Sequence, residues 1–206
     1  MRGISLFCSL GISLTLVIGA STDADAQTTA LRGARVIDGR GGAPIDNATI
    51  LIRGGRIIAI GSSSATPIPN GAEVVNYTGK TIIPGLISDH SHVGIFVGLK
   101  AAPENYNRDA ILRQLKQLEA YGVTTVMALG LNGPLFYELR PELHAGRLPG
   151  ADLFGADQGI GVVGGQPSAA VVPVGENQIS RPDTVEMARE SIRGEPQDRY
   201  GQDMAR

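Results

Sequence analysis

The sequence predicts an α/β chain, with a β-rich amino-terminal segment followed by strands alternating with helices. From Thr28 to about Ile83 short runs rich in β-branched residues are separated by glycine-containing turns. From Thr81 onward apolar strand-like runs alternate with stripes of helical period. Alternation at this spacing means βα units, and hence a parallel sheet or a barrel.

Composition supports a folded chain and narrows its class. Of 206 residues 42% are hydrophobic and 18% charged, with a formal net charge of −2. That is too apolar for a disordered tail and too balanced for a protein that holds nucleic acid by bulk positive charge. The 28 glycines and 12 prolines stay below the level of low-complexity disorder, yet they demand many tight turns.

The amino terminus reads as a secretory signal peptide over residues 1–26. Arg2 is followed by an apolar stretch from Ile4 to Ala20, and Ala24-Asp-Ala26 precedes Gln27 as a small-x-small cleavage site. The competing reading is a transmembrane anchor at the short limit for crossing a bilayer. Cleavage removes Cys8, the sole cysteine, so an exported mature chain would rely on packing, metal or partners rather than disulfides. Periplasmic or secreted localisation is expected, with no membrane contact after cleavage.

Within the β-rich segment, taken as residues 27–82, Leu31–Ile37 is one strand. Thr49–Arg53 and Arg56–Ile60 flank Gly54-Gly55, a two-residue loop suited to the positive φ angles of a type I′ hairpin. Glu73–Tyr77 is a further strand, and Thr78-Gly-Lys80 a turn. In residues 83–206 Asn107 is an N-cap for a helix carrying Ile111, Leu112, Leu115 and Leu118, ended by Gly122. Val123–Leu129 is a buried strand. Pro134 opens a second helix with Leu135, Phe136, Leu139 and Leu143 on one stripe, ended by Gly146. Asp152–Gly155 is a short strand. Asp183 caps a third helix, with Glu186 completing a capping box. Between them, Ala156–Arg181 is glycine-rich and aperiodic, and Gly194–Arg206 is polar with no apolar stripe.

The segment that speaks of chemistry is Pro84-Gly-Leu-Ile-Ser-Asp-His90-Ser-His92. Two histidines at i and i+2 on a strand share a face, so both imidazoles can approach one divalent cation. Histidine pairs of this kind also arise without function. The third histidine, His144, falls at the end of the second helix, where an exposed or capping role is expected. Gly159-Ile-Gly-Val-Val-Gly164 fits the dinucleotide fingerprint, but Pro167 and Pro173 stand where its helix would have to begin. A glycine-rich loop at a barrel mouth or on the surface is the other reading.

The order of these features resembles the amidohydrolase superfamily, and within it the imidazolonepropionase-like, secreted metal-dependent hydrolases. The resemblance rests on Gly55-Arg-Ile-Ile-Ala-Ile-Gly61, on Tyr77-Thr-Gly-Lys-Thr-Ile-Ile-Pro-Gly85, on Asp89-His-Ser-His92 and on Ala145-Gly-Arg-Leu-Pro-Gly150. It runs from about Ala30 to about Ile192. It implies an N-terminal β-sandwich segment followed by an incomplete (β/α)8 TIM-type barrel, the first three or so βα units. It also implies that His90 and His92 bind a divalent metal, zinc as first candidate. A metal-activated water would then hydrolyse a carbon–nitrogen bond of a small-molecule substrate: a non-peptide, cyclic or dipeptide-like amide. Many relatives carry Asp two residues before the first histidine, where this chain has Ser88.

Other parts of the family's machinery have no counterpart here. Relatives add a lysine or glutamate, two further histidines and a proton-shuttling aspartate from later strands. This chain holds three histidines, and its last lysine is Lys116. A complete barrel needs about 250 residues. The alternative to a working hydrolase is therefore a truncated, inactive fragment, or a module completed by a homo-oligomer or a complementing chain. A frameshift near residue 194 would account for the loss of apolar rhythm. A small exported binding domain built on the β-segment is a third reading.

Overall fold

The computed structural model describes residues 27–156, 158–165 and 172–193. The signal segment expected over 1–26 and the polar stretch 194–206 lie outside the described residues. The chain divides into two compact units, with the boundary between Ile83 and Pro84 in the sequence.

The first unit is one five-stranded mixed sheet. Its strands are β1 (Thr29–Val36), β2 (Ile45–Arg53), β3 (Arg56–Ser62), β4 (Glu73–Asn76) and β5 (Thr81–Ile82). The order is β3-β2-β1-β4, with β5 also on β1. β2 runs antiparallel to both β1 and β3, whereas β4 and β5 lie parallel to β1. Gly54 and Gly55 take φ of 56° and 72°, the double left-handed step that a type I′ turn needs and that a side chain resists. One face buries Ala34, Val36, Ala48 and Ile50. Described by itself, this unit is an open sheet.

The second unit is built around a three-stranded parallel sheet. Its strands are β6 (Leu86–Ser91), β9 (Val123–Ala128) and β10 (Asp152–Gly155), in the order β10-β9-β6. Helix α1 (Arg108–Ala120) connects β6 to β9, and α2 (Pro134–His144) connects β9 to β10. Between β6 and α1, β7 (Phe96–Val97) and β8 (Lys100–Ala101) form a small hairpin. Beyond β10, β11 (Gly159–Ile160) pairs parallel with β12 (Ile179–Ser180), and α3 (Val185–Arg193) follows. Neighbouring strands in the main sheet are thus successive in the chain, each joined by a helix. The fold is mixed α/β with open sheets. Among the described residues no helix is long and apolar enough to cross a membrane.

Helix ends follow the local chemistry. The Asn107 side chain accepts from the Ala110 amide at 3.0 Å, satisfying one of the free donors of α1. Gly122, at φ 84°, closes that helix with its amide on the Glu119 carbonyl at 2.9 Å. Ile111 and Leu115, one turn apart, are buried. So are Phe136, Leu139 and Leu143 of α2, which join Val126, Ala128 and Leu153 of the sheet in one core.

The third helix is capped one residue later than expected. Thr184, not Asp183, accepts from the Met187 amide at 3.2 Å, because the threonine hydroxyl stands three residues before that donor. The Glu186 carboxylate lies 3.6 Å from Arg189 instead of closing a capping box. The segment read as aperiodic also holds the β11–β12 pair. The glycine fingerprint leads into a tight turn, Gly165 amide to Val162 carbonyl at 2.9 Å, and no helix starts in residues 158–165. That removes the helix N-terminus on which dinucleotide binding depends.

Two substitutions test this packing. Leu139→Ala should cost about 2–5 kcal/mol of unfolding free energy, and Asn107→Ala about 1 kcal/mol. Urea titration reads both; equal losses would contradict the division between core and cap.

Candidate metal-binding site

The site lies where β6 ends. β6 pairs with β9 as Ser88 with Val126 and Ser91 with Ala128, so β6 spends three residues where β9 spends two. This irregularity carries the extra residue of a β-bulge, a device that re-aims side chains at strand ends. The Ser88 and Ser91 hydroxyls bridge it at 2.6 Å. Strand pairing stops at Ser91, so His90 lies in the strand and His92 one residue past it. Despite the bulge, the two imidazole centroids are 5.2 Å apart with planes at 83°.

Both histidines have solvent access, and Asp89, just before them, is exposed. The His92 ring loses part of its water to surrounding residues, and this partial burial is the main cause that lowers its pKa below the usual value. Positive charge on His90 lowers it further, while the Gly130 backbone acts in the opposite direction. A neutral imidazole at neutral pH is the form that offers a lone pair to a metal. His92 also lines a cleft of about 410 Å³ with Ser91, Gln117 and Tyr121, in the size range of small-molecule sites.

The donor set fits a divalent cation in part. Two imidazoles at one strand end are suitable nitrogen ligands, whereas a catalytic zinc takes three protein ligands. Among the described residues no group of three His, Cys, Asp or Glu could hold an ion. His144 is committed elsewhere. Its Nδ1 hydrogen-bonds Asp152 at the start of β10, and its ring packs on Phe154 at 4.5 Å.

Sequence reasoning missed the turn after β9. Gly130 and Leu131 take φ of 64° and 57°. The buried Asn132 side chain donates to the Ala128 and Ala156 carbonyls at 2.9 and 2.5 Å. The equally buried Gln178 donates to the Leu131 carbonyl at 2.8 Å. The Leu129-Gly-Leu-Asn-Gly133 string offered one signal, glycines after a strand, and none for the distant glutamine.

No family model matches the chain. It is similar to the N-acyl-D-aspartate deacylase of Alcaligenes xylosoxydans xylosoxydans, 39% identical over 71 residues, or 34% of this chain and 14% of that one. It is also similar to the dihydroorotase of Streptomyces coelicolor, 31% identical over 107 residues, or 52% of this chain and 21% of that one. Among solved structures, molinate hydrolase superposes with a TM-score of 0.57 at 27% identity, covering 67% of this chain and 31% of the hydrolase. A prolidase superposes with a TM-score of 0.63 at 22% identity, covering 82% and 44%; that likeness shows fold alone. The chain spans less than half the length of each of these proteins.

Because His90 contributes to the lowered His92 pKa, His90→Asn should move the His92 titration midpoint upward toward the ordinary histidine value. The sign for stability follows. With its folded pKa lowered, His92 is protonated more readily in the unfolded chain, so stability falls as pH drops below about 6.5. NMR titration of the ring protons reads the midpoint. One that stays put in the variant would show that the rings do not sense each other.

Proposed function

We propose that this chain, which resembles the amidohydrolase superfamily in its N-terminal part, is the metal-binding portion of an exported hydrolase acting on carbon–nitrogen bonds. The observation that carries the reading is the juxtaposition of the His90 and His92 rings at the carboxyl end of a parallel strand, 5.2 Å apart. Strands β6, β9 and β10, successive in the chain and joined by α1 and α2, support three consecutive units of a (β/α) barrel. In such a barrel catalytic groups gather at the carboxyl ends of the strands. A β-sandwich role for the first unit belongs to the same reading.

His90 and His92 would hold the metal, zinc as first candidate. A bound divalent cation supplies acidified water and polarises a carbonyl. The chain's own residues have separate tasks. His92, its protonation disfavoured by partial burial, presents a neutral nitrogen. The cleft beside it offers Gln117 and Tyr121 to a small substrate. The substrate class follows relatives named for deacylation of an N-acyl amino acid and for dihydroorotase action: acylated amino acids and cyclic amides. The apolar stretch after Arg2 and the Ala24-Asp-Ala26 site support export.

Turnover requires donors beyond these two imidazoles, from a second copy or a complementing chain. The alternative is a chain that binds metal without turnover of its own, an inactive fragment of such an enzyme. What favours it is that the third histidine is already held by Asp152.

Zinc titration of the full chain tests the metal assignment. His90→Asn and His92→Asn should each weaken zinc binding by about tenfold or more; undiminished affinity in both would overturn it. Hydrolysis of N-acyl amino acids or cyclic amides by the zinc-loaded chain, lost in either variant, would favour the hydrolase over the inactive fragment.

A further inference from the structure

Asparagine followed by glycine is open to self-modification, because glycine leaves its own amide nitrogen unscreened beside the asparagine side chain. The chain contains two such pairs, Asn70-Gly71 and Asn132-Gly133. The structure treats them in opposite ways. Asn70 and Gly71 are the central residues of the turn that leads into β4, closed by the Ala72 amide on the Pro69 carbonyl at 3.2 Å. Gly71 takes φ of 81°, in the position of a type II turn that requires a positive value. Both residues are exposed, and a side-chain carbon placed on Gly71 would meet nothing within 4 Å. Among the described residues neither the Asn70 side chain nor the Gly71 amide has a hydrogen-bond partner.

The other pair is held at every reacting group. Asn132 is 1% exposed, and its amide nitrogen donates to the Ala128 and Ala156 carbonyls at 2.9 and 2.5 Å. The Gly133 amide, the nucleophile of that pair, donates to the Tyr106 hydroxyl at 2.8 Å. Reaction there would break buried hydrogen bonds and leave their partners unsatisfied.

We propose that Asn70 is a site of spontaneous deamidation in the folded chain, and that Asn132 is protected from it. The Gly71 nitrogen attacks Asn70 Cγ and closes a succinimide ring. The Cγ–Nδ2 bond breaks, and ammonia leaves with the proton given up by Gly71. Water then opens the ring: addition at Cγ gives aspartate, and addition at the main-chain carbonyl gives isoaspartate. Either product adds one negative charge to the formal −2 of the chain. The new carboxylate stands in a cleft of about 310 Å³ that Asn70 shares with Arg53, so a cation is already present where the charge appears. Isoaspartate also lengthens the backbone just ahead of Glu73, where β4 begins its pairing with Thr29.

The test incubates the full chain at mildly alkaline pH, folded and in parallel in urea. Peptide mapping then separates asparagine, aspartate and isoaspartate at each position. In the folded chain Asn70 should convert while Asn132 keeps its amide; in urea both should convert. Asn70→Gln, which would have to close a larger and less favoured ring, should abolish the acidic shift that the folded chain develops on a charge-separating gel. Asn70 intact in the folded chain while it converts in urea would overturn the proposal. So would an Asn132 that converts as fast as Asn70 in the folded chain, or an acidic shift that persists in Asn70→Gln. An Asn132 that stays intact in urea as well would remove the fold as the cause of its protection and overturn that half of the proposal.

Discussion

The parallel ladder between β6 and β9 is the constraint on which the site depends. Its inner residues, Val126 and Ala128, are fully buried among the side chains of α1 and α2, so β9 is fixed by core packing. β6 has the weaker position, with Leu86 and Ile87 half or more exposed, and takes its alignment from β9. The ladder runs to the very end of the strand, where the Leu129 amide bonds the Ser91 carbonyl at 3.0 Å. One residue later the chain leaves the sheet with His92. The core therefore fixes where the histidine pair stands, although neither ring belongs to it.

The bulge between Ser88 and Ser91 makes this arrangement more specific. A regular strand would place His90 and Ser88 on one face and Asp89 and Ser91 on the other. The extra residue breaks that alternation just before the chain exits, and the Ser88–Ser91 hydroxyl contact closes the distortion. A neutral hydroxyl pair occupies this point, one residue or more from each imidazole in the sequence.

Much of the scaffold was legible in the sequence because it is governed by local rules. Gly54-Gly55 could be read as a tight hairpin, since few residues accept two successive left-handed steps. Asn107 and Gly122 bracket a helix through the hydrogen bonds their chemistry allows. The spacing of Phe136, Leu139 and Leu143 declares a buried face. Non-local features were harder to read. The parallel pairing of β4 and β5 with β1 depends on contacts about 45 residues apart, and nothing in Glu73–Asn76 announces its direction. The cap of α3 moved from Asp183 to Thr184 because two adjacent capping residues compete and geometry decides. At the site, the His-x-His spacing named the pair. The role of Gln178 was invisible, for a buried glutamine earns its place through a partner 47 positions away.

The central claim is that both imidazoles bind the same ion. X-ray absorption of the zinc-loaded chain measures this directly. The account predicts two imidazole nitrogens in the zinc shell at about 2.0–2.1 Å, with one lost in His90→Asn. A shell of oxygens alone, or one unchanged by that substitution, would contradict it.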